Sequence, residues 1–144
     1  MIDNLLQKGL LIRAKATKHE IEGSLAIAQH FLDRAKGTMA LNYYDVSFSL
    51  AYQSMFHSAR ALLFNKGFKE RSHSAIISAL LEIYDDNLEL KQYLNKLNSY
   101  KVSRHAIQYD GASCNSPDAQ VAIKYAEKFL GLADSILAKE KVWP

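Results

Sequence analysis

Two short stretches of this chain concentrate side chains able to hold a phosphate or move a proton. The first, AYQSMFHSARALLFNKG from Ala51 to Gly67, places Gln53, His57 and Arg60 four and three residues apart, so on a helix they share one face. The second, SRHAIQYDG from Ser103 to Gly111, sets Arg104, His105, Tyr109 and Asp110 beside a glycine. A guanidinium is permanently charged and meets phosphate oxygens as a two-pronged donor, which makes Arg104 the first choice for an anion contact. A neutral imidazole can take a proton near pH 7, whereas a phenol, with a reference pKa of about 10, is a poor general base. Any catalytic reading of Arg104, His105 and Tyr109 therefore turns on the histidine.

Geometry constrains this set. Arg104 and Gln108 are one helical turn apart, as are His105 and Tyr109, but Arg104 and Tyr109 are roughly 140° apart on an ideal helix. They converge only if the last turn distorts or a second chain completes the site. His73 could reach the groove of Gln53, His57 and Arg60, with Asp110 a further ligand contact. Structural accounts compete: His57 and Arg60 as surface or subunit contacts, His73 as an exposed residue, and Arg104 and His105 as groups solvating a helix end.

The elements that must position these residues all read as helices. Ile21, Leu25, Ala28, Leu32, Ala35 and Met39 form one apolar face, and the spacing predicts a helix ending near Leu41. After a connection over Asn42 to Asp45, Phe48, Ala51, Met55, Ala59 and Leu62 repeat the pattern until Gly67, with Phe56 and Leu63 widening the face of what reads as the central helix. A third helix starts with Ser72 as cap and runs through Ile76, Ile77, Leu80, Leu81 and Tyr84, stopping around Asp85 to Asn87. Leu90, Leu94, Leu97 and Tyr100 begin a fourth, which ends at Gly111.

Ser116 as cap, Pro117 in the first position and Asp118 at the positive end of the dipole open a last helix, whose inward face is Ala122, Ala126, Phe129, Ala133 and Ile136. A short helix from Asp3 to about Leu11 precedes the rest. No alternating strand pattern of useful length is found. The expected fold is all-α: an antiparallel up-and-down bundle of four to five helices, one domain over 1–144, with its core at about 18–138 and an N-terminal helical extension over 1–17.

Composition narrows the function classes. A chain of 144 residues with 49% apolar residues and two prolines is long enough for one core and short for two domains. A net charge of +3 and a pI near 8.9 permit an anionic partner without the Lys/Arg density of a dedicated nucleic-acid binder. One cysteine, Cys114, excludes an intramolecular disulfide and fits a reducing cytoplasm. The five histidines, His19, His30, His57, His73 and His105, include no pair at metal-ligand spacing, so no metal is expected, and no other cofactor. Glycine-rich phosphate loops, nucleophile elbows and zinc-protease motifs are absent. The N-terminal apolar run is too short for a signal sequence, and no segment reaches the length of a membrane span.

The run AYQSMFHSARALLFNKG, followed by SHSAI, SRHAIQYDG and a final amphipathic helix, resembles the HEPN domain family, in particular small stand-alone members whose second helix reads approximately AYYAMFHAARALL. The resemblance extends from about Lys18 to Ala138. It implies an all-α bundle, usually a homodimer whose subunits form a cleft. Many such proteins are metal-independent ribonucleases, often toxins paired with a small nucleotidyltransferase antitoxin; others bind RNA or nucleotides without catalysis. The family's active motif is an arginine, four to six residues, then a histidine. Arg104 matches the arginine, but Tyr109 stands after four intervening positions and no histidine follows His105. A tyrosine in this region is itself implied by the branch, which tends to place Ala-Asp-Tyr after its arginine. The expectation is thus an RNA- or nucleotide-binding protein, with a ribonuclease toxin and a non-catalytic module docking a nucleotidyltransferase as its two forms.

Overall fold

The computed structural model describes residues 1–140; residues 141–144, which the sequence reading includes in its domain, lie outside the described residues. In chain order the elements are α1 (Ile2–Gln7), β1 (Leu11–Arg13), α2 (Lys18–Ala40), α3 (Tyr44–Asn65), β2 (Phe68–Glu70), α4 (His73–Ile83), α5 (Leu88–Tyr109) and α6 (Ser116–Glu140). The chain is the expected all-α bundle: α2 to α6 build it and the shorter α1 sits outside.

Helix α3 is its axis. Packing against α2 and α6 is most extensive, and α4 and α5 cover the remaining side. Ser47, Ala51, Ser54, Ser58, Ala59 and Ala61 are all completely buried along α3, opposite Ala28 and Ala35 on α2 and Ala122, Ala126 and Ala133 on α6. Small side chains let neighbouring helices approach closely, and larger ones, Tyr52, Met55, Leu62 and Phe129, fill the space between. Ser58 donates its hydroxyl proton to the Ser54 carbonyl at 3.1 Å, so a buried hydroxyl is satisfied within its own helix.

Local chemistry explains most boundaries. Thr17 accepts from the Glu20 amide at 3.1 Å while the Glu20 carboxylate accepts from the Thr17 amide at 3.0 Å, a reciprocal capping box opening α2. Lys69 on β2 also donates to Glu20, at 2.8 Å. That hydrogen bond above all, then the Thr17 amide, holds the Glu20 carboxyl down to about 2. At the other end of α2, Asn42 takes a left-handed φ of 62°. Its amide donates to Met39 at 3.0 Å and that of Tyr43 to Thr38 at 3.1 Å, a turn that reverses the chain into α3.

Three local readings are corrected. The N-terminal helix stops at Gln7 and not near Leu11, because Gly9 at φ 71° closes it, the Gly9 amide donating to the Leu6 carbonyl and the Leu10 amide to the Leu5 carbonyl. The freed residues form β1, antiparallel to β2 with Leu11 opposite Glu70 and Arg13 opposite Phe68. Three-residue strands are too short to display alternation, so this pairing left no pattern in the sequence. The cap of α6 is Asn115 and not Ser116: the Asp118 amide donates to Asn115 Oδ1 at 3.0 Å and the Asn115 amide to Asp118 Oδ2 at 3.1 Å. Asp118 thus completes a reciprocal cap at the third helical position, one residue earlier than the Ser-Pro reading.

Close packing around α3 makes a stability prediction. Ala59→Leu forces side-chain volume into a site with no exposure and should lower unfolding free energy by about 1–3 kcal/mol, read by urea denaturation. A change near zero would show that the axis does not need a small residue there.

Candidate functional site

Because α3 is enclosed, its longer polar side chains can leave it only along a seam. Gln53, His57 and Arg60 form that seam, each half-buried. His57 stacks on Phe31 of α2, ring centres 5.6 Å apart at 18°, and meets Phe56 edge-on at 5.4 Å. Phe56 in turn lies against the His73 ring at 4.2 Å, at the start of α4. Arg60 reaches β2, where its Nε donates to Glu70 Oε1 at 3.2 Å and its NH2 lies 3.1 Å from Oε2. This two-pronged pair buries the Glu70 carboxylate and uses the guanidinium of Arg60.

Arg104 enters from α5. Its guanidinium lies over the Tyr52 ring at 4.9 Å, a cation–π contact, and NH1 donates weakly to Gln108 at 3.4 Å. Its Nε is buried without a hydrogen-bond partner. Among the described residues no carboxylate lies within ion-pair distance of Arg104. The seam of α3, the start of α4 and the inward side of α5 thus lie close together, with the charges of Arg60, Lys101, Arg104 and the already engaged Glu70 all felt at His73.

Protonation follows from this setting. Burial first, then the charge of Arg60 and the neighbouring His73, push the His57 imidazole down to about 4. His73 is also lowered, by burial first and then by Arg104, with Lys101 and Arg60 adding and Glu70 opposing. Burial raises the Tyr52 phenol, and Arg104 partly offsets it. Near neutral pH both imidazoles are therefore uncharged, and His57 Nδ1 is buried with no partner.

Of the residues singled out from sequence, Gln53, His57, Arg60, His73 and Arg104 come together. His105 and Tyr109 do not join them within one chain: both are exposed, their rings 5.0 Å apart on the outward side of α5. The helix stays regular to its end, where the Asp110 amide donates to Ala106 at 3.0 Å, so no distortion swings Tyr109 toward Arg104. Asp110 is an exposed cap residue. Lys101, Glu70 and Phe31 were missed. Lys101 had a signal, since it precedes Arg104 by three residues on the same helix; Glu70 and Phe31 had none, because tertiary packing alone brings them to the seam. No group of three or more His, Cys, Asp or Glu side chains that could hold a metal exists among the described residues.

The HEPN domain family model matches residues 21–136, and the chain belongs to that family. It is 23% identical over 130 residues to "Putative toxin MJ0142" of Methanocaldococcus jannaschii, covering 87% of this chain and 86% of that one. It is 30% identical over 122 residues to "UPF0332 protein glr0978" of Gloeobacter violaceus, covering 82% of this chain and 90% of the relative.

His57 supplies a pH prediction. Its folded pKa lies below the ordinary value of about 6.5, so between about 6.5 and 4 the unfolded chain binds more protons than the folded one. Stability contributed by neutral His57 is full above pH 6.5 and falls as pH is lowered toward 4. An NMR titration should place the His57 midpoint near 4, and His57→Phe should shallow the loss of melting temperature across that window; a midpoint near 6.5 would show the ring to be solvated.

Proposed function

We propose that this HEPN protein binds RNA in a cleft bounded by the α3 seam, the start of α4 and α5, with Arg104 on a backbone phosphate and Gln53 and His73 orienting the strand. The observation that carries the reading is the guanidinium of Arg104, half-buried, with no carboxylate partner among the described residues and Tyr52 as its platform. An arginine held this way has donors to offer an anion, and Lys101 and Arg60 add to the local positive potential. Kinship with a protein named as a putative toxin supports a toxin role, and the active form in this reading is a metal-independent ribonuclease of the cytoplasm.

Cleavage then proceeds by attack of the ribose 2′-oxygen on the adjacent phosphorus. The 2′-O–P bond forms, the bond to the 5′-oxygen breaks, and the leaving oxygen takes a proton from water. His73 is better suited than His57 to accept the 2′ proton, because it is the more exposed imidazole; Arg104 stabilises the charge gathering on phosphorus. His105 and Tyr109 enter from the outward side of α5, so in this reading they act where a second copy brings its own α5 alongside.

Homodimerisation rests on the same outward side. Val102 is 66% and Tyr109 73% exposed, with Val46, also exposed, flanking the C-terminal half of α5. Light scattering should give twice the 16.2 kDa chain mass, and Val102→Asp should return the monomer; a wild-type monomer at micromolar concentration would remove the dimer from the reading. The same apolar side favours a second reading, a non-catalytic module that docks a nucleotidyltransferase there.

The deciding experiment incubates purified protein with labelled RNA in the presence of a chelator. Wild type should bind and cleave, while Arg104→Ala should lose at least tenfold in binding, about 1.4 kcal/mol, with an unchanged melting temperature. Equal binding by both proteins would refute the assignment of Arg104. Binding without cleavage would leave the module reading.

A further inference from the structure

The side of α5 away from α4 forms a second feature that the cleft does not use. Here α5 and α6 are separated by a cavity of about 300 Å³ lined by Gln92, Tyr93, Val121, Lys124, Tyr125 and Lys128. Lys96 bends over this wall, its ammonium 5.0 Å from the Tyr125 ring centre and 5.4 Å from that of Tyr100. Tyr93 packs on Phe129 at 5.8 Å and meets Tyr125 edge-on at 6.0 Å, so both rings are anchored from the core while lining the hollow. Val121 also borders a larger cavity of about 430 Å³ beside Phe48, Tyr100 and Ile107, which prolongs the crevice toward the C-terminal end of α5.

The charge on this wall is mostly unopposed. Lys124 and Lys128 are exposed and one turn apart on α6. Among the described residues neither they nor Lys96 has an ion-pair partner. Nearby Glu127 is drawn to Lys36 at 3.3 Å, and Asp118 at the far end of the crevice is occupied as part of the α6 cap. Glu89 is the carboxylate whose charge is felt at Tyr93. Aromatic walls with a carboxamide edge suit an unstacked nucleobase, and ammonium groups at the mouth suit the phosphates on either side of it.

We propose that the α5–α6 crevice is a second contact tract for single-stranded RNA, with Tyr93 and Tyr125 receiving a base and Lys96, Lys124 and Lys128 meeting the backbone. This rests on the RNA reading of the Arg104 cleft and extends it: one strand contacts both sides of α5. A basic surface with no aromatic wall would attract any polyanion. The tyrosines narrow the occupant to a strand whose bases are free to leave the stack.

The test measures binding of a single-stranded 2′-O-methyl RNA of about 12 nucleotides, within the usual site sizes and lacking the nucleophilic hydroxyl, by anisotropy over a range of salt. Each phosphate contact contributes about 0.7 to the slope of log affinity against log salt for single strands. The double variant Lys124→Gln/Lys128→Gln, both on exposed positions, should lower the slope by about 1.4, and Arg104→Ala by about 0.7. A wild-type slope in the double variant, with binding still lost in Arg104→Ala, overturns the second tract and leaves the cleft standing. Loss only in the double variant supports the tract and removes the cleft as an RNA site. No binding by the wild type overturns both.

Discussion

A helix enclosed on nearly all sides governs the rest of this molecule. α3 is buried along almost its entire length, and it can be so only because serine and alanine occupy the positions where α2 and α6 close on it. Burial of a whole helix leaves little room for side chains that need water. Gln53, His57 and Arg60 therefore share a half-buried seam at the edge of that packing, bordered by Phe31 of α2 and Glu70 of β2. Packing in the core and the location of polar chemistry are in this sense one constraint.

Around that seam the charges are unequal in their freedom. Arg60 and Glu70 satisfy each other in a two-pronged pair, which fixes β2 against α3 and gives the small β1–β2 sheet a reason to exist. Arg104 lacks such a partner. Leaving its Nε buried and unbonded costs about 1–3 kcal/mol, offset in part by the Tyr52 ring, since cation–π contacts contribute about 0.5–2 kcal/mol. The guanidinium charge itself stays without a carboxylate among the described residues, which is the physical basis of the proposed RNA reading.

The helices were legible because each carries an apolar face of the right period and most carry a cap or a left-handed stop. Ser72 does cap α4, accepting from the Ala75 amide at 3.3 Å, and Asn87 caps α5. What the sequence did not disclose was tertiary. The β1–β2 pairing is too short to leave a periodic trace, and the Asn115 cap lay one residue outside the Ser-Pro signal. On α3, the spacing of Gln53, His57 and Arg60 puts them on one face, and all three are half-buried there. Grouping Arg104 with His105 and Tyr109 followed chain proximity, but 100° per residue sends Arg104 inward and its neighbours outward. Only the neighbouring helices decide which side of α5 is which.

That division of α5 also bears on how the proposed site would handle protons. His57 and His73 are held neutral by desolvation first, with Arg60 adding at both and Arg104 and Lys101 adding at His73. A bound phosphate opposes those cations, so in the proposed reading it favours proton uptake by His73, and by reciprocity a protonated His73 favours the phosphate. His57, stacked on Phe31 and edge-on to Phe56, gains less from that exchange because Arg104 is not among the charges that lower it. The two imidazoles of one cleft thus divide by environment: the enclosed one serves packing, and the open one is left free to exchange a proton with a ligand.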